Sequence, residues 1–229
     1  MIPASSPRGE AGRQARCVTR YTIMDYPNYN LEKKLINQGY QNIVGIDEVG
    51  RGAWAGPLVA VATQILNFKF LISKQIRDSK TLSESQREKI YAELSEKVVW
   101  SVGLVSHKEI DTIGITQANI LVIKRAIENL NLKPDYLLID KVSGFKSQIP
   151  HQIIIKGDRK ILSIALASIL AKVTRDRMMV KFHQKYPEYN FHKHKGYGTA
   201  LHQTCLSKYG PGCLHRLSYK PVSRLGREN

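Results

Sequence analysis

Asp47 and Glu48 stand side by side in Gly45-Ile46-Asp47-Glu48-Val49-Gly50-Arg51-Gly52, where an apolar run ends and a Gly-Arg-Gly turn begins. Two more apolar runs end on acid. Tyr136-Leu137-Leu138-Ile139 leads to Asp140, and Ile153-Ile154-Ile155-Lys156-Gly157 leads to Asp158. Carboxylates gathered without a counter-cation repel and raise one another's pKa. Mg2+ or Mn2+ relieves that repulsion, since both ions prefer oxygen ligands. The acids sit in a chain with 35 Lys and Arg against 19 Asp and Glu, a formal net charge of +16. A cationic chain that concentrates anions at one point reads as holding divalent metal against a polyanionic substrate.

Each acid also has a plainer role. Asp158 would cap the helix that follows it. Asp140 would pair with Lys141 on the surface, and Asp47 with Glu48 would be a solvated turn pair. The repeated placement at strand ends favours one shared site, because strand ends are rigid supports at a sheet rim. In a regular strand Asp47 and Glu48 face opposite sides. A shared ion therefore requires a bend, which Gly50 and Gly52 permit. Asp25, Asp78, Asp111, Asp135 and Asp176 end no apolar run and are assigned no chemistry.

The elements that position these acids alternate in type. Helical spacing covers 30–38, ended by Gly39, and strands cover 42–48 and 58–66. A loop at 78–83 leads into a helix reaching 97, opened by a capping box of Ser83 with Gln86. A strand follows at 98–105. Ile120, Ile123, Ala126, Ile127 and Leu130 repeat at helical spacing within 116–131. Strands at 136–139 and 153–156 precede the longest helix, 160–186, and the remainder is short helix and loop. Strands alternating with helices predict an α/β sheet covered by helices.

Composition bounds the class. The chain has 229 residues, 42% hydrophobic and 24% charged, which suits one compact domain. The basic excess points to a phosphate-rich partner. A membrane span is excluded, since the longest apolar stretch, 161–173, is too short and contains Ser163, Ser168 and Lys172. Cys17, Cys205 and Cys213 are odd in number and sparse, so a disulfide framework is not expected and a reducing cytoplasm is. A zinc site from His202, Cys205, Cys213 and His215 does not match a familiar ligand spacing. No secretory signal precedes residue 30.

Five segments in order resemble bacterial ribonuclease HII, the type 2 ribonuclease H: GIDEVGRGAWAGPLVAVA (45–62), DSKTLS (78–83), LLID (137–140), KGDRKILSIALASILAKVTRD (156–176) and HKGYGT (194–199). The resemblance spans about 31–222. It implies an α/β, RNase H-like mixed five-stranded sheet flanked by helices, with a small helical C-terminal extension. The catalytic domain is placed at 29–222, between a disordered basic tail at 1–28 and a short tail at 223–229. The implied activity is an endonuclease that hydrolyses RNA in RNA–DNA hybrids and incises 5′ of single ribonucleotides in duplex DNA. Asp47, Glu48, Asp140 and Asp158 take the catalytic and metal-binding roles, with two Mn2+ or Mg2+ ions per site and 5′-phosphate and 3′-hydroxyl products. Gly50-Arg51-Gly52 takes the role of sensing the ribose 2′-hydroxyl, and Lys80 lies near phosphate. Tyr197 takes the role of packing at the RNA–DNA junction, although spacing alone reads it as an ordinary packed tyrosine. A cytoplasmic monomer is expected, with a sliding-clamp contact left open.

Lys141 and Leu166 depart from the family pattern, which usually has Gly and an Ala-rich run there. Arg51 and Asp158 separate the chain from the ribonuclease HIII pattern. A non-catalytic nucleic-acid-binding module fits the charge but not the acids. A nucleotide kinase lacks its Gly-rich phosphate loop.

Overall fold

A computed structural model describes residues 26–66, 76, 79 and 81–225. The basic tail expected at 1–28 lies almost wholly outside them, as do Asp78, Lys80 and 226–229. One five-stranded sheet runs in the order β3-β2-β1-β4-β5. Central β1 (Ile43–Val49) pairs antiparallel with β2 (Leu58–Gln64) and parallel with β4 (Tyr136–Asp140). Edge strand β3 (Val99–Val105) is antiparallel to β2, and edge strand β5 (His151–Ile154) is parallel to β4. The sheet is mixed and five-stranded, as the family resemblance implies.

Helices cover both faces, which is why β1 reads as a continuous apolar run. On one face, Val44 and Ile46 of β1 and Ala60 and Ala62 of β2 pack with Ala118, Val122 and Ala126 of helix α3 (His107–Glu128). On the other, Val61 packs with Ala165, Leu166, Ile169 and Leu170 of helix α4 (Leu162–Lys185). Leu166 is fully buried in that layer. Gly45 permits the close approach of α4, since a Cβ there would lie 2.4 Å from the Ser163 backbone.

Helix α1 (Asn30–Asn37) precedes β1, and helix α2 (Glu84–Leu94) opens on the expected Ser83–Gln86 capping box. Helix α3 starts nine residues before the predicted 116, at a second capping box of Ser106 with Glu109. Gly114 breaks its dihedrals (φ 76, ψ 157), which conceals the first turns from a period count. β5 sits two residues earlier than predicted, because Lys156 is left-handed (φ 57) and 157–159 form a 3-10 turn. Asp158 therefore does not cap α4. The Ser163 amide at the start of that helix is met instead by buried Glu32 of α1, whose Oε1 accepts it at 3.1 Å and the Ser163 hydroxyl at 2.9 Å.

The C-terminal extension holds α5 (Phe191–His194), α6 (Ala200–Tyr209) and α7 (Lys220–Leu225). Among the described residues, no helix is long and apolar enough to cross a membrane.

Candidate active site

Strand parity and register bring the acids to one rim. Val44 and Ile46 face α3, so Glu48 follows them to that face, while Asp47 follows Gly45 toward α4. β4 runs parallel to β1 with Ile139 opposite Ile46, and one step further places Asp140 beside Asp47. Asp47, Glu48 and Asp140 line one cleft of about 480 Å³, together with Val49, Ser79, Ser168, Lys172 and Tyr197. The bend expected at the two adjacent acids is absent. β1 stays paired with β2 through Val49↔Val59, and the chain turns only afterwards, at Gly50 (φ 95). The two side chains leave opposite faces and both still border the cleft because they lie at the end of the strand.

Each face supplies a donor. Ser168 of α4 hydrogen-bonds Asp47, and the Ser79 hydroxyl lies 2.9 Å from that of Ser168. Asn119 of α3 donates from Nδ2 to Glu48 Oε1 at 3.4 Å. These contacts do not offset the crowding. Burial, then the charges of Glu48, Asp140 and Asp158, hold the Asp47 carboxyl well above the usual range, with Ser168 opposing. Glu48 is raised by burial and then by Asp140, with Asn119 and Arg51 opposing.

Asp158 stands behind this group. It is 4% exposed and near enough to act on Asp47, but it does not line the cleft. The neighbouring Gly157 amide donates to Asp140 Oδ1 at 2.8 Å, which ties the two acid-bearing segments together. Lys172, the cleft lysine, donates to Asp176 at 2.9 Å. The donor set is all oxygen, buried or half-buried and mutually repelling, and it fits a hard divalent cation. Among the described residues no three His, Cys, Asp or Glu side chains already stand close enough to grip an ion.

The turn follows directly on Val49, which lines the same cleft. A Cβ at Gly50 would lie 2.3 Å from Arg175 Nε, so both space and the positive φ demand glycine. Arg175 is fully buried and donates to the carbonyls of Pro57 (3.0 Å), Lys195 (2.8 Å) and Ala55 (3.1 Å). Its guanidinium lies 5.2 Å from the centroid of half-buried Tyr197, and Lys172 Nζ lies 5.5 Å from it. Tyr197 bridges Ala53, so the tyrosine and the turn share one backbone frame. Arg51 and Gly52 are exposed. Lys80 lies outside the described residues.

Sequence reading missed Ser79, Ser168, Asn119, Lys172 and Arg175. Ser168, Lys172 and Asp176 recur at i, i+4 on one helix face, a stripe that was open to view. His202 and His215 hydrogen-bond each other, Nε2 to Nε2, at 3.0 Å. His202 also meets the Tyr197 carbonyl, Cys205 is buried, and Cys213 is exposed.

Known proteins resemble this chain in sequence and in fold. A family model described as Ribonuclease HII matches residues 44–222. A Ribonuclease HII of Caldicellulosiruptor bescii is 49% identical over 197 residues, covering 83% of this chain and 92% of the relative. The crystal structure of the ribonuclease H2 from Pyrococcus horikoshii OT3 superposes with TM-score 0.70 at 27% identity, covering 82% of this chain and 98% of that one. The RNase HII from Archaeoglobus fulgidus, solved in complex with PCNA, superposes with TM-score 0.69 at 25% identity, covering 80% and 96%.

Proposed function

The chain belongs to the ribonuclease HII family, and from that premise we propose that its acidic cleft incises duplex DNA on the 5′ side of a single embedded ribonucleotide and hydrolyses RNA in RNA–DNA hybrids. The observation that carries this reading is the arrival of Asp47 and Asp140 from parallel neighbouring strands at one cleft, with the Gly50–Gly52 backbone beside it.

Asp47, Glu48, Asp140 and Asp158 are the residues that would hold two Mn2+ or Mg2+ ions. Bound divalent cations supply an activated water and neutralise the leaving oxygen. The chain's own groups do the rest. Burial and like charge keep Asp47 and Glu48 poised to accept a cation rather than a basic side chain. Ser168 and Asn119 fix the two acids from opposite faces of the sheet. Arg51, exposed at the rim, meets a phosphate, and Lys80 is a second phosphate contact by its place in the family motif. Tyr197 offers a flat face to the sugar or base at the junction. Only the 2′-hydroxyl marks a lone ribonucleotide, and a glycine-flanked backbone lets it approach closely. The products carry 5′-phosphate and 3′-hydroxyl ends. The enzyme works as a monomer in the cytoplasm, and a sliding clamp is the partner expected from the Archaeoglobus fulgidus complex.

The test is incubation of the purified chain with duplex DNA carrying one ribonucleotide, in Mn2+ or Mg2+ and then in chelator. Metal-dependent incision 5′ of the ribonucleotide is the expected result. Absence of cleavage with every metal, alongside retained binding, would identify a binding module instead.

A further inference from the structure

The exposed Gly50–Gly52 turn is fastened from the far end of the chain. The Arg51 carbonyl accepts from the Tyr219 hydroxyl at 2.6 Å and from Arg216 Nη1 at 3.2 Å. The same Nη1 donates to the Tyr219 oxygen at 3.0 Å, so guanidinium and hydroxyl orient each other. Arg216 Nε and Nη2 both reach the Gly56 carbonyl, at 3.1 and 3.0 Å, and the Arg216 amide donates to Trp54 O at 2.8 Å. One side chain thus closes the loop from 51 to 56. Arg216 is fully buried, and among the described residues no carboxylate hydrogen-bonds it. Burying a cation on neutral carbonyls gains little stability, so geometry is the more natural reason for its presence. The segment is pinned in turn by Asp111 of α3, which accepts from the Leu217 amide (2.9 Å), the Ser218 amide (3.0 Å) and the Ser218 hydroxyl (2.6 Å).

A trans peptide points its C=O and the next N–H in opposite directions. Drawing the Arg51 carbonyl inward therefore turns the Gly52 N–H outward. That N–H donates to no group among the described residues, and a Cβ on Gly52 would meet nothing within 4 Å. We propose that Arg216 and Tyr219 are positioning residues that aim the Gly52 amide at the ribose 2′-hydroxyl. This rests on the reading of the turn as the sensor of that hydroxyl.

Tyr219→Phe removes the hydroxyl and keeps the ring. Two measurements test the lock. Fluorescence anisotropy in Ca2+ compares affinity for a duplex carrying one ribonucleotide with that for the same all-DNA duplex. Amide hydrogen exchange follows peptides covering 50–56. The ribo-to-deoxy affinity ratio is expected to fall about fivefold in the variant, the scale of one lost hydrogen bond, and exchange across 50–56 is expected to quicken. A merely structural loss would weaken both duplexes alike and leave the ratio unmoved, which overturns the proposal. If the wild-type chain does not discriminate, the reading of the turn has failed rather than the lock. Exchange then decides, with faster exchange upholding the lock and unchanged exchange overturning it. If Tyr219→Phe melts far below wild type, Asp111→Asn loosens the same segment from outside the loop and is judged by the same two measurements.

Discussion

The acidic cleft and the C-terminal lobe both bury titratable side chains, and they treat them in opposite ways. In the cleft, Asp47 and Glu48 leave opposite faces of one strand end and repel each other and Asp140, with partial relief from Ser168, Arg51 and a long contact from Asn119. In the lobe, made of the C-terminal extension and the end of α4 that packs against it, Arg175 and Arg216 meet backbone carbonyls, and His202 and His215 meet each other and the carbonyls of Tyr197 and Gly212. One region crowds carboxyl groups with few partners, and the other uses its polar groups to fix backbone. Strongly perturbed groups with unmet needs mark function, while satisfied networks mark scaffold.

The largest expected effect breaks the cleft. Asp47→Asn should cut incision by more than ~100-fold, beyond the loss typical of an outer-sphere partner. Duplex affinity by anisotropy should persist, and a folded variant that loses binding would assign the carboxylate to adhesion. Arg175→Met probes the lobe. It leaves three carbonyls without their donor, and denaturant unfolding should show a loss on the order of 3 kcal/mol. A loss near zero would remove Arg175 from the scaffold.

Mn2+ at ~100 times its dissociation constant should stabilise the chain by about 2.7 kcal/mol, since metal binds only the assembled acids. Thermal melting in Asp47→Asn should show a smaller rise, and an unchanged wild-type melt would count against a metal-binding cleft. Asn119→Ala should lower activity by about 10- to 100-fold and raise the Mn2+ needed for half-maximal rate, because Glu48 loses its donor. An unaltered metal requirement would limit Asn119 to packing.

The smallest effect is on pH. Burial, then the His194 charge, pushes His202 down to about 3, and burial, then the charges of His194 and His107, pushes His215 down to about 4 despite the Gly212 hydrogen bond. Both are held below the ordinary imidazole value of 6.5. The stability they contribute is full above that value and drains as pH falls from it toward the folded values. The acid limb of a melting-temperature profile should flatten in His202→Gln, and an unaltered limb would place the titrating groups elsewhere.

Much of the site was legible because its markers are local. Apolar runs that end on Asp47 and Asp140, glycines at a turn, and Ser83 three residues before Gln86 are all short-range patterns, and the sheet and cleft follow them, whereas the strand before Asp158 stops at Ile154. The start of α3 was not legible, because Gly114 interrupts its period.

Sequence alone determined that Asp47, Glu48 and Asp140 sit at strand ends, the α/β order of elements, and the family. Only the tertiary structure decided that Asp158 stands behind the cleft, that Glu32 serves α4 across 131 residues, and that Arg216 holds Arg51 across 165. The physical reason is range. Propensity, period and turn chemistry act over a few residues, whereas the partner of a buried hydrogen bond is chosen by how distant segments pack.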